Sequence, residues 1–449
     1  MQGFQRTMAL CFQAHPYYRK LFARLGLTPS SFKTPDDLAR LPITDKATWL
    51  ARPDDFRLRL DGVEGVSIEE RTLWELVYTT GTTTRPTPFY DTSHDHYSRL
   101  AQMKRMVEMS GIRPDDVVAN LFPLTTIPHQ GYLSAYYGTL GAGAKMVAAL
   151  SGRGYPEFLA GRETDEIIRF LEKHRPTILW GIATFARRLL MRAQELGADL
   201  SPVRMIFAMG ECCSQGFRSD LKERMKSLGA GAVAVWNGYG FTEMQGPTFE
   251  CREGGGCHLA MPELYHFEIL DPETLKPVPM GKPGLVIVSH LNRRGTVLLR
   301  YRVGDISALR DDPCPDCGRT GLRFVMPPTR IGGIVKIKGT LVNPQHLDEI
   351  LTRLPGVEEY QCVVSRSNPD DPFSMDQLVL RIAAPSESRK KLAEMIPETI
   401  RRVIEITPRI EFVSRDRIVG DDAQYKFKRF VDARAGAGAP VVAQPAADA

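Results

Sequence analysis

A run of hydroxyl side chains around one glycine is the first feature of the sequence that could bind a charged ligand. The run extends from Tyr78 to Thr87 and follows an apolar stretch, Leu73 to Tyr78, that is typical of a strand. A glycine turn of this kind presents backbone N–H groups and hydroxyls to phosphate oxygens. The run lacks the Gly-Lys-Ser/Thr ending of a P-loop. An ordinary threonine-rich surface loop is therefore the alternative interpretation.

Two acidic side chains further along the chain are placed to contact the rest of a nucleotide. Glu243 closes a run that begins at Asn237, directly after a predicted strand, and Asp305 closes the run that begins at Tyr301. Ligands of parallel sheets bind beyond the carboxyl ends of the strands. There Thr242 would contact phosphate, Glu243 a Mg²⁺ ion and Asp305 both hydroxyls of a ribose. A glycine turn with a solvated glutamate and a hairpin aspartate are the alternatives.

The elements that position these residues follow from apolar runs that alternate with amphipathic stretches. Two stretches, Glu163 to His174 and Thr184 to Leu196, have helical spacing. The predicted strands are Val117 to Phe122, Ala144 to Leu150, Thr177 to Ile182, Met205 to Met209 and Val233 to Trp236. This βαβ pattern predicts an α/β fold with a doubly wound, mainly parallel sheet.

The pattern changes after Glu250. Pro/Gly turns separate three predicted strands, which indicates a β-rich subregion: His266 to Leu270, Gly284 to His290 and Thr296 to Tyr301. Beyond residue 333 the sequence predicts a small α+β unit, in which a helix, two strands and a second helix are Pro344 to Leu354, Glu359 to Ser365, Gln377 to Ala383 and Ser386 to Ile404. We therefore expect a large N-terminal domain over 1–329, a hinge at 330–333, a small mobile C-terminal domain over 334–434 and a disordered tail at 435–449.

Composition limits the classes of function. The 449 residues are 43% hydrophobic and 25% charged, as in folded globular proteins. The net charge of +5 is the balance of 58 basic and 53 acidic residues, so it does not indicate a nucleic acid or a membrane surface as partner. The longest apolar runs have the length of strands, and we recognise no signal peptide, so we expect a cytoplasmic protein. A disulfide framework is not expected for its eight cysteines.

Together and in this order, the motifs resemble those of the acyl-adenylate-forming superfamily, which includes acyl-CoA and aryl-CoA ligases, adenylation domains and luciferases. Thr79 to Pro86 resemble Ser-Ser-Gly-Thr-Thr-Gly-Lys-Pro, with Thr84 and Arg85 in place of Gly and Lys. The runs that end at Glu243 and Asp305 match Tyr-Gly-x-Thr-Glu and Tyr-Arg-x-Gly-Asp. The resemblance covers nearly the whole chain.

Further features are similar to the phenylacetate-CoA ligase branch of that superfamily. They are the modest length, the Cys-Pro-x-Cys-Gly-Arg-Thr segment from Cys314 to Thr320, and the Asn343-Pro344 pair. Lys336 to Gly339 resemble Ile-Lys-Ile-Arg-Gly, and Tyr425 to Arg429 resemble the Gly-Lys-x-x-Arg element that carries the adenylation lysine.

The resemblance implies ATP, Mg²⁺ and coenzyme A as cofactors or co-substrates. It implies Lys426, Glu243 and Thr242 as catalytic residues, and a hinge near Arg330 where Gly332 and Gly333 replace the usual pair of aspartates. The missing side chains widen the accessible φ/ψ range of that hinge. The implied nucleotide-binding residues are Thr79, Thr80, Gly81, Thr82, Thr83, Glu211, Asn237, Tyr239, Gly240, Asp305 and Arg330.

Two close groups of cysteines suit a structural zinc ion. Zinc takes four thiolate or imidazole ligands in closed structural sites, and a Cys-x-x-Cys pair is a tight chelate. We predict Cys251, His258, Cys314 and Cys317 as the ligands, with Cys257 as the rival of His258. Cysteines without a metal are the alternative.

The acid pocket is expected on the aromatic segment from Pro128 to Gly138. It contains Tyr132 and Tyr136, while the small residues Ala208 and Gly210 would let a ring lie against the backbone. An aromatic acid suits these residues better than a long chain does. Tyr136 as a core tyrosine of a helix is the alternative.

The sequence therefore predicts an AMP-forming aryl-acid–CoA ligase for a benzoate-, anthranilate- or phenylacetate-like acid. One alternative is an adenylating enzyme that passes its acyl group to a carrier-protein thiol or another nucleophile. The other is a zinc-stabilised nucleotide-binding protein without catalysis. The expected partners are a small aromatic acid, ATP and CoA, with neither nucleic acid nor membrane; a carrier protein and a homodimer stay open.

Overall fold

The computed structural model shows two compact units. The first comprises Met1–Cys213 and Leu221–Ile331, and the second comprises Ser214–Asp220 and Gly332–Ala449. The structure describes residues 2–78, 88–123, 130–151, 161–210, 213–325, 329–330, 335–337, 340–342, 344–368, 375–404, 406–419 and 428–434. No helix among these residues is long and apolar enough to cross a membrane.

The chain begins with short helices and a hairpin. The imidazole of His15 caps the second helix, because its Nδ1 accepts a hydrogen bond of 3.1 Å from the backbone N–H of Tyr18. In chain order these elements are α1 Gln2–Ala14, α2 Pro16–Arg24, α3 Lys46–Ala51, α4 Ile68–Arg71, β1 Leu73–Tyr78, β2 Pro88–Thr92 and α5 Ser93–Ser110. Strands β1 and β2 pair antiparallel.

A large sheet follows. The next elements are β3 Val117–Asn120, α6 Gln130–Gly141, β4 Lys145–Ala148, α7 Thr164–His174, β5 Ile178–Ile182, α8 Ala183–Glu195, β6 Met205–Met209, α9 Gln215–Ser227, β7 Ala234–Tyr239, β8 Thr248–Glu250 and β9 Cys257–His258. Strands β4, β3, β5, β6 and β7 lie side by side and parallel, and β8 and β9 continue the sheet antiparallel. The two central strands, β5 and β6, are buried throughout, as expected for parallel strands that are covered on both faces. The predicted parallel-rich α/β fold is confirmed.

The β-rich subregion adds a second sheet. Its elements are β10 Tyr265–Leu270, β11 Gly284–His290, β12 Tyr301–Ser307, β13 Leu309–Arg310, β14 Arg323–Phe324 and β15 Thr329–Arg330. Strands β10, β11, β12 and β15 form an antiparallel sheet in that order, whereas β13 and β14 extend the large sheet at its β9 edge.

The predicted strand from Thr296 to Tyr301 is wrong. The backbone N–H of Val297 donates to the carbonyl of Phe56, and that of Leu299 donates to the hydroxyl of Tyr18. Val297 and Leu299 are fully buried, so the apolar run is a core segment whose hydrogen bonds go to distant groups. The strand begins only at Tyr301.

The C-terminal unit is α+β, as predicted. Its elements are β16 Val335–Ile337, β17 Thr340–Val342, α10 Pro344–Thr352, β18 Glu359–Arg366, β19 Asp376–Ala383, α11 Ser386–Ile404, β20 Arg409–Phe412, α12 Arg415–Val419 and β21 Phe430–Asp432. Strands β20, β19, β18 and β21 form one sheet, in which β18 and β19 pair antiparallel over eight residues each. The apolar faces of α10 and α11 contribute Leu347, Leu351, Leu392, Ile396 and Ile400 to the core of this unit.

Candidate active site and metal cluster

The turn that follows β7 holds Glu243 in a buried position. Thr242 to Met244 form one 3-10 turn, and only 6% of Glu243 is exposed. The hydroxyl of Tyr301 donates to Oε1 of Glu243 over 2.8 Å, and Nε2 of His290 donates to its backbone oxygen over 2.8 Å. Two strands of the second sheet therefore hold Glu243, one at its carboxylate and one at its backbone. A hard carboxylate oxygen held in this way fits Mg²⁺ as a ligand.

The proton on His290 is assigned by its two hydrogen bonds. Its Nδ1 accepts from the backbone N–H of Leu298 over 3.0 Å, so Nε2 carries the proton that is donated to Glu243. Burial, with a contribution from the charge of Arg293, lowers the pKa of His290 to about 3. The ring is therefore neutral near pH 7. It positions the Glu243 turn without adding a charge.

Asp305 lies within β12, not beyond its end as the sequence suggested. Leu285 pairs with Ile306 and Ile287 with Arg302, so residues 303–305 lie opposite the single residue Val286. This is a β-bulge, and Gly304 in it has a φ of +89°, which a residue with a side chain rarely adopts. A β-bulge changes the direction in which a side chain points, and bulges are common next to binding sites.

The carboxylate of Asp305 on this bulge is hydrogen-bonded to Tyr239. The hydroxyl of Tyr239, at the end of β7, donates to Oδ2 of Asp305 over 2.9 Å, and Asp305 is only 8% exposed. The backbone of Arg330 in β15 lies opposite that of Asp305 in the adjacent strand β12. Gly240 is exposed directly after Tyr239. The structure thus brings Tyr239, Gly240, Asp305 and Arg330 to one place.

Asn237 connects two strands of the large sheet. Its Nδ2 donates to the backbone oxygen of Ala208 over 2.6 Å, and its backbone N–H donates to Oε2 of Glu250 over 2.7 Å. Ala208 is fully buried inside β6, whereas Gly210 is exposed just after that strand. Of these two predicted pocket residues, Gly210 is therefore the one that solvent reaches.

The predicted aromatic residues lie on helix α6. Tyr132 is half-buried, and burial, with Tyr136 nearby, raises its pKa. Tyr136 is 44% exposed, so it is not the core tyrosine of the alternative interpretation. Its ring meets that of Tyr137 edge-on, with 5.3 Å between centroids. The amide of Asn120, at the end of β3, donates to the backbone oxygen of Tyr132 over 3.1 Å and so fixes the start of the helix.

A buried polar network beside the Glu243 turn was not predicted. Gln245, at φ +60°, accepts from Nη1 of Arg99 over 2.9 Å and from Nε2 of Gln130 over 3.0 Å. Its own amide donates to the backbone oxygen of Thr242 over 2.5 Å. Arg99 also lies 3.2 Å from Asp91, a fully buried carboxylate. These contacts tie helices α5 and α6 to the turn that carries Thr242 and Glu243.

The four predicted zinc ligands form one cluster. The ligand atoms of Cys251, His258, Cys314 and Cys317 all lie within 4.8 Å of one another. The sulfurs of Cys251 and Cys314 are 3.7 Å apart, and Sγ of Cys317 is 3.7 Å from Nε2 of His258. A tetrahedral zinc with Zn–S bonds of about 2.3 Å would place two sulfurs about 3.8 Å apart. The distances therefore fit the zinc geometry and are far longer than a disulfide bond of about 2.05 Å.

The rival ligand Cys257 lies away from the cluster. Its sulfur approaches the backbone oxygen of Asn237 at 3.8 Å. Burial, followed by the charges of Arg319 and Arg323, lowers the pKa of His258, so its ring is neutral near pH 7. A neutral imidazole is the form that binds a metal.

Several predicted site residues lie outside the described part of the chain. This applies to Thr79, Thr80, Gly81, Thr82, Thr83, Glu211, Gly332, Gly333 and Lys426. Their roles stay predictions.

The sequence matches the family described as AMP-binding enzyme over residues 30–292, and the AMP-binding enzyme C-terminal domain over residues 339–434. It is 27% identical over 425 residues to a phenylacetate-coenzyme A ligase of Thermus thermophilus, across 93% of this chain and 89% of that protein. A phenylacetate-coenzyme A ligase of Aromatoleum evansii is 24% identical over 435 residues, across 93% and 90% of the two chains. The fold matches a crystal structure of 2-hydroxyisobutyryl-CoA ligase with a TM-score of 0.78 at 22% identity, across 96% of this chain and 88% of that one.

Proposed function

The chain belongs to the AMP-binding enzyme family, and we propose that this ATP-dependent, AMP-forming acid–CoA ligase activates an aromatic acid. A carboxylate is a poor electrophile, because it has no good leaving group. In the first half-reaction a carboxylate oxygen attacks the α-phosphorus of ATP and pyrophosphate leaves. In the second, the thiol of coenzyme A loses its proton and attacks the carbonyl carbon of the acyl-AMP, and AMP leaves.

The observation that carries the proposal is the pair of buried carboxylates next to the end of β7. Glu243 and Asp305 each accept a hydrogen bond from a tyrosine hydroxyl, at 2.8 and 2.9 Å. Both carboxylates are buried next to the edge where α/β sheets bind ligands, and a carboxylate can bind a cation or accept hydrogen bonds from ligand hydroxyls. ATP with its Mg²⁺ supplies both.

The roles of the two carboxylates follow from this placement. Glu243 would hold Mg²⁺, which, when bound, neutralises negative charge on the phosphates during phosphoryl chemistry. Asp305 would accept the two ribose hydroxyls, while Asn237, Tyr239 and Gly240 form the wall against the nucleotide. Thr242 would donate its hydroxyl to a phosphate oxygen.

Residues outside the described part complete the nucleotide site in this proposal. The loop from Thr79 to Thr83 would bind phosphate oxygens through N–H groups and hydroxyls. Lys426 would place its positive charge on the adenylation transition state, and Glu211 would contact the nucleotide. Arg330, which the structure places in β15 opposite Asp305, would contact it too. Gly332 and Gly333 would serve as the hinge that exchanges the two half-reactions.

The aromatic substrate is proposed from helix α6 and the end of β6. Tyr132 and the 44% exposed ring of Tyr136 offer flat surfaces, and Gly210 is exposed without a side chain in the way. Aromatic rings pack on such surfaces with about 0.5–1.5 kcal/mol beyond the burial of their area. The phenylacetate-coenzyme A ligases among the relatives, which include the two described above, support this class of acid.

The cysteine and histidine cluster is proposed to bind one structural zinc. Cys251, His258, Cys314 and Cys317 supply four ligands, which leaves no coordination position for a substrate or a water. When bound, the metal would stabilise the β8–β9 turn and the segment between β13 and β14. It would take no part in the chemical steps.

Pyrophosphate release from ATP with a panel of acids tests the proposal. Benzoate, anthranilate, salicylate, phenylacetate and octanoate are compared, and one aromatic acid is expected to rank first. Addition of coenzyme A should then yield the thioester and AMP. Pyrophosphate release without thioester would indicate a carrier-protein acceptor, and no release with any acid would reject the ligase assignment.

A further inference from the structure

A hairpin carries half of the metal cluster and packs along β7. Strands β8 and β9 pair antiparallel, with Phe249 opposite His258 and Glu250 opposite Cys257. Cys251 begins the turn between the two strands and His258 is the second residue of β9, so this hairpin supplies two of the four clustered ligands. A Cβ on Gly255 in this turn would lie 3.1 Å from Sγ of Cys251 and 2.8 Å from a carboxylate oxygen of Asp316. The turn is thus packed tightly against the cluster.

Glu250 joins this turn to the nucleotide end of β7. The backbone ladder between β7 and β8 pairs Tyr239 with Thr248 and Gly238 with Phe249. At the next position the backbone N–H of Asn237 donates to Oε2 of Glu250 over 2.7 Å. The other oxygen, Oε1, accepts from the backbone N–H of Gly254 over 3.1 Å. One carboxylate, only 5% exposed, therefore holds both the metal turn and the strand that ends in the nucleotide motif.

We propose that Glu250 is a positioning residue that couples the metal cluster to nucleotide binding. The inference rests on the proposed nucleotide and zinc sites and adds a link between them. When the metal fixes Cys251 and His258, the turn fixes Oε1 of Glu250, and Oε2 then fixes the backbone at Asn237. Loss of the metal frees the turn, and the motif from Asn237 to Glu243 loses one of its supports.

Glu253 provides a matched comparison within the same turn. Its Oε1 accepts from the backbone N–H of Val235 over 2.7 Å, and its Oε2 contacts Nζ of Lys222 at 2.5 Å. It is a glutamate on the same turn and bonds to the same strand, but at Val235, before the nucleotide motif. Its removal should weaken the fold without changing the position of Asn237.

Thermodynamic linkage makes the coupling measurable in both directions. If zinc raises the affinity for a nucleotide by some factor, the nucleotide raises the affinity for zinc by the same factor. Typical couplings of this kind are about 5- to 150-fold. AMP is a suitable probe, because it lacks the triphosphate that chelates metals.

The experiment compares the full-length parent, Glu250→Gln and Glu253→Gln. Zinc per chain is measured by elemental analysis and AMP affinity by calorimetry, before and after zinc is removed with a chelator. We expect zinc removal from the parent to raise the Kd for AMP at least about fivefold. Glu250→Gln should keep its zinc, bind AMP at least about fivefold more weakly, and show little further change when zinc is removed. Glu253→Gln should bind AMP like the parent.

Several results would overturn the coupling. One is Glu250→Gln with the AMP affinity of the parent; another is zinc removal that weakens AMP binding equally in the parent and in Glu250→Gln. If Glu250→Gln does not fold, the parent protein alone tests the coupling. Its zinc affinity is then measured against a competing chelator with and without saturating AMP, and AMP must raise that affinity. A parent that binds AMP but carries no zinc would overturn the coupling and leave the ligase assignment intact, whereas a parent that binds no AMP would remove both.

Discussion

The hydroxyl of Tyr239 donates a hydrogen bond of 2.9 Å to Oδ2 of Asp305. Tyr239 is the last residue of β7 in the large sheet, and Asp305 lies in the β-bulge of β12 in the second sheet. This contact joins the two sheets at the point where we place the ribose. The carboxylate of Asp305 is the group that we propose as the acceptor of the ribose hydroxyls.

Asp305→Asn is expected to raise the KM for ATP about tenfold or more. The amide replaces one acceptor oxygen with a donor, and hydrogen bonds to a charged group are worth about 1.5–3 kcal/mol. Tyr239→Phe is the matched control, because it keeps the carboxylate and removes one hydrogen bond to it; its KM for ATP should rise less. Steady-state pyrophosphate release measures both. An unchanged KM in Asp305→Asn would exclude Asp305 from the nucleotide site.

Glu243→Gln is expected to lower kcat about 100-fold and to raise the Mg²⁺ concentration needed for half-maximal activity. A neutral amide is a poorer ligand for a hard cation than a carboxylate. Tyr301→Phe removes the 2.8 Å hydrogen bond to Oε1 and keeps the charge, so its Mg²⁺ dependence should change less. Activity is titrated against Mg²⁺ for the three proteins. The same half-maximal Mg²⁺ concentration in Glu243→Gln and the parent would show that the ion binds elsewhere.

Lys426→Ala is expected to abolish acyl-AMP formation while sparing transfer from synthetic acyl-AMP to coenzyme A. The positive charge is proposed to act only on the phosphoryl half-reaction. Lys428→Ala, two residues along the chain, is the comparison variant. Each half-reaction is measured separately. Equal loss of both half-reactions in Lys426→Ala would contradict the assignment, and normal adenylation would transfer the role to Lys428.

The sequence predicts elements well where the signal is local. The apolar runs at Ile178–Ile182 and Met205–Met209 are buried strands. A short, continuous apolar run between two helices is typical of a parallel strand whose two faces are both covered by helices. Thr296 to Tyr301 has a similar composition but is no strand. Its N–H groups find the Phe56 carbonyl and the Tyr18 hydroxyl, which are more than 200 residues away in the chain. Nothing in the local pattern indicates those partners.

The candidate site shows the same limit. Motif residues such as Glu243 and Asp305 could be proposed from the sequence, because their neighbours in the chain carry the signal. The residues that hold them could not. His290 reaches Glu243 across 47 residues and Arg99 reaches Gln245 across 146. A local sign that precedes the buried network around Gln245 is the Thr92-x-x-Asp95 capping box at the start of α5, which marks the helix that carries Arg99 but not the partners of that residue.

Two buried histidines are expected to make the fold sensitive to acid. Burial lowers the pKa of His15 and of His290 to about 3, from an ordinary value of about 6.5. Below pH 6.5 these histidines bind protons in the unfolded chain but stay neutral in the folded chain. Their contribution to the free energy of unfolding is therefore complete above pH 6.5 and is lost as the pH falls toward 3. Each histidine contributes a slope of up to about 1.4 kcal/mol per pH unit.

Urea unfolding between pH 7.5 and 4.5 measures this slope. His15→Asn keeps a capping side chain for the second helix but does not titrate, so its unfolding free energy should fall less steeply with acid than that of the parent. Equal slopes in the two proteins would mean that His15 is protonated in the folded state.

Tyr136 is the residue with which we test the choice of acid. Its ring is 44% exposed on helix α6, and the similarly exposed Tyr97 of α5, at 61%, is the matched control. Tyr136→Ala should raise the KM for the preferred aromatic acid about tenfold, the effect of losing about 1.4 kcal/mol of ring contact. It should leave the KM for ATP unchanged. Tyr97→Ala should leave both constants unchanged, because it removes an exposed tyrosine ring that lies outside the proposed pocket. A flexible fatty acid would lose rotamer entropy on the same surface, so octanoate should be the poorer substrate. Preference for octanoate, or an equal response of the two variants, would place the acid pocket on another segment.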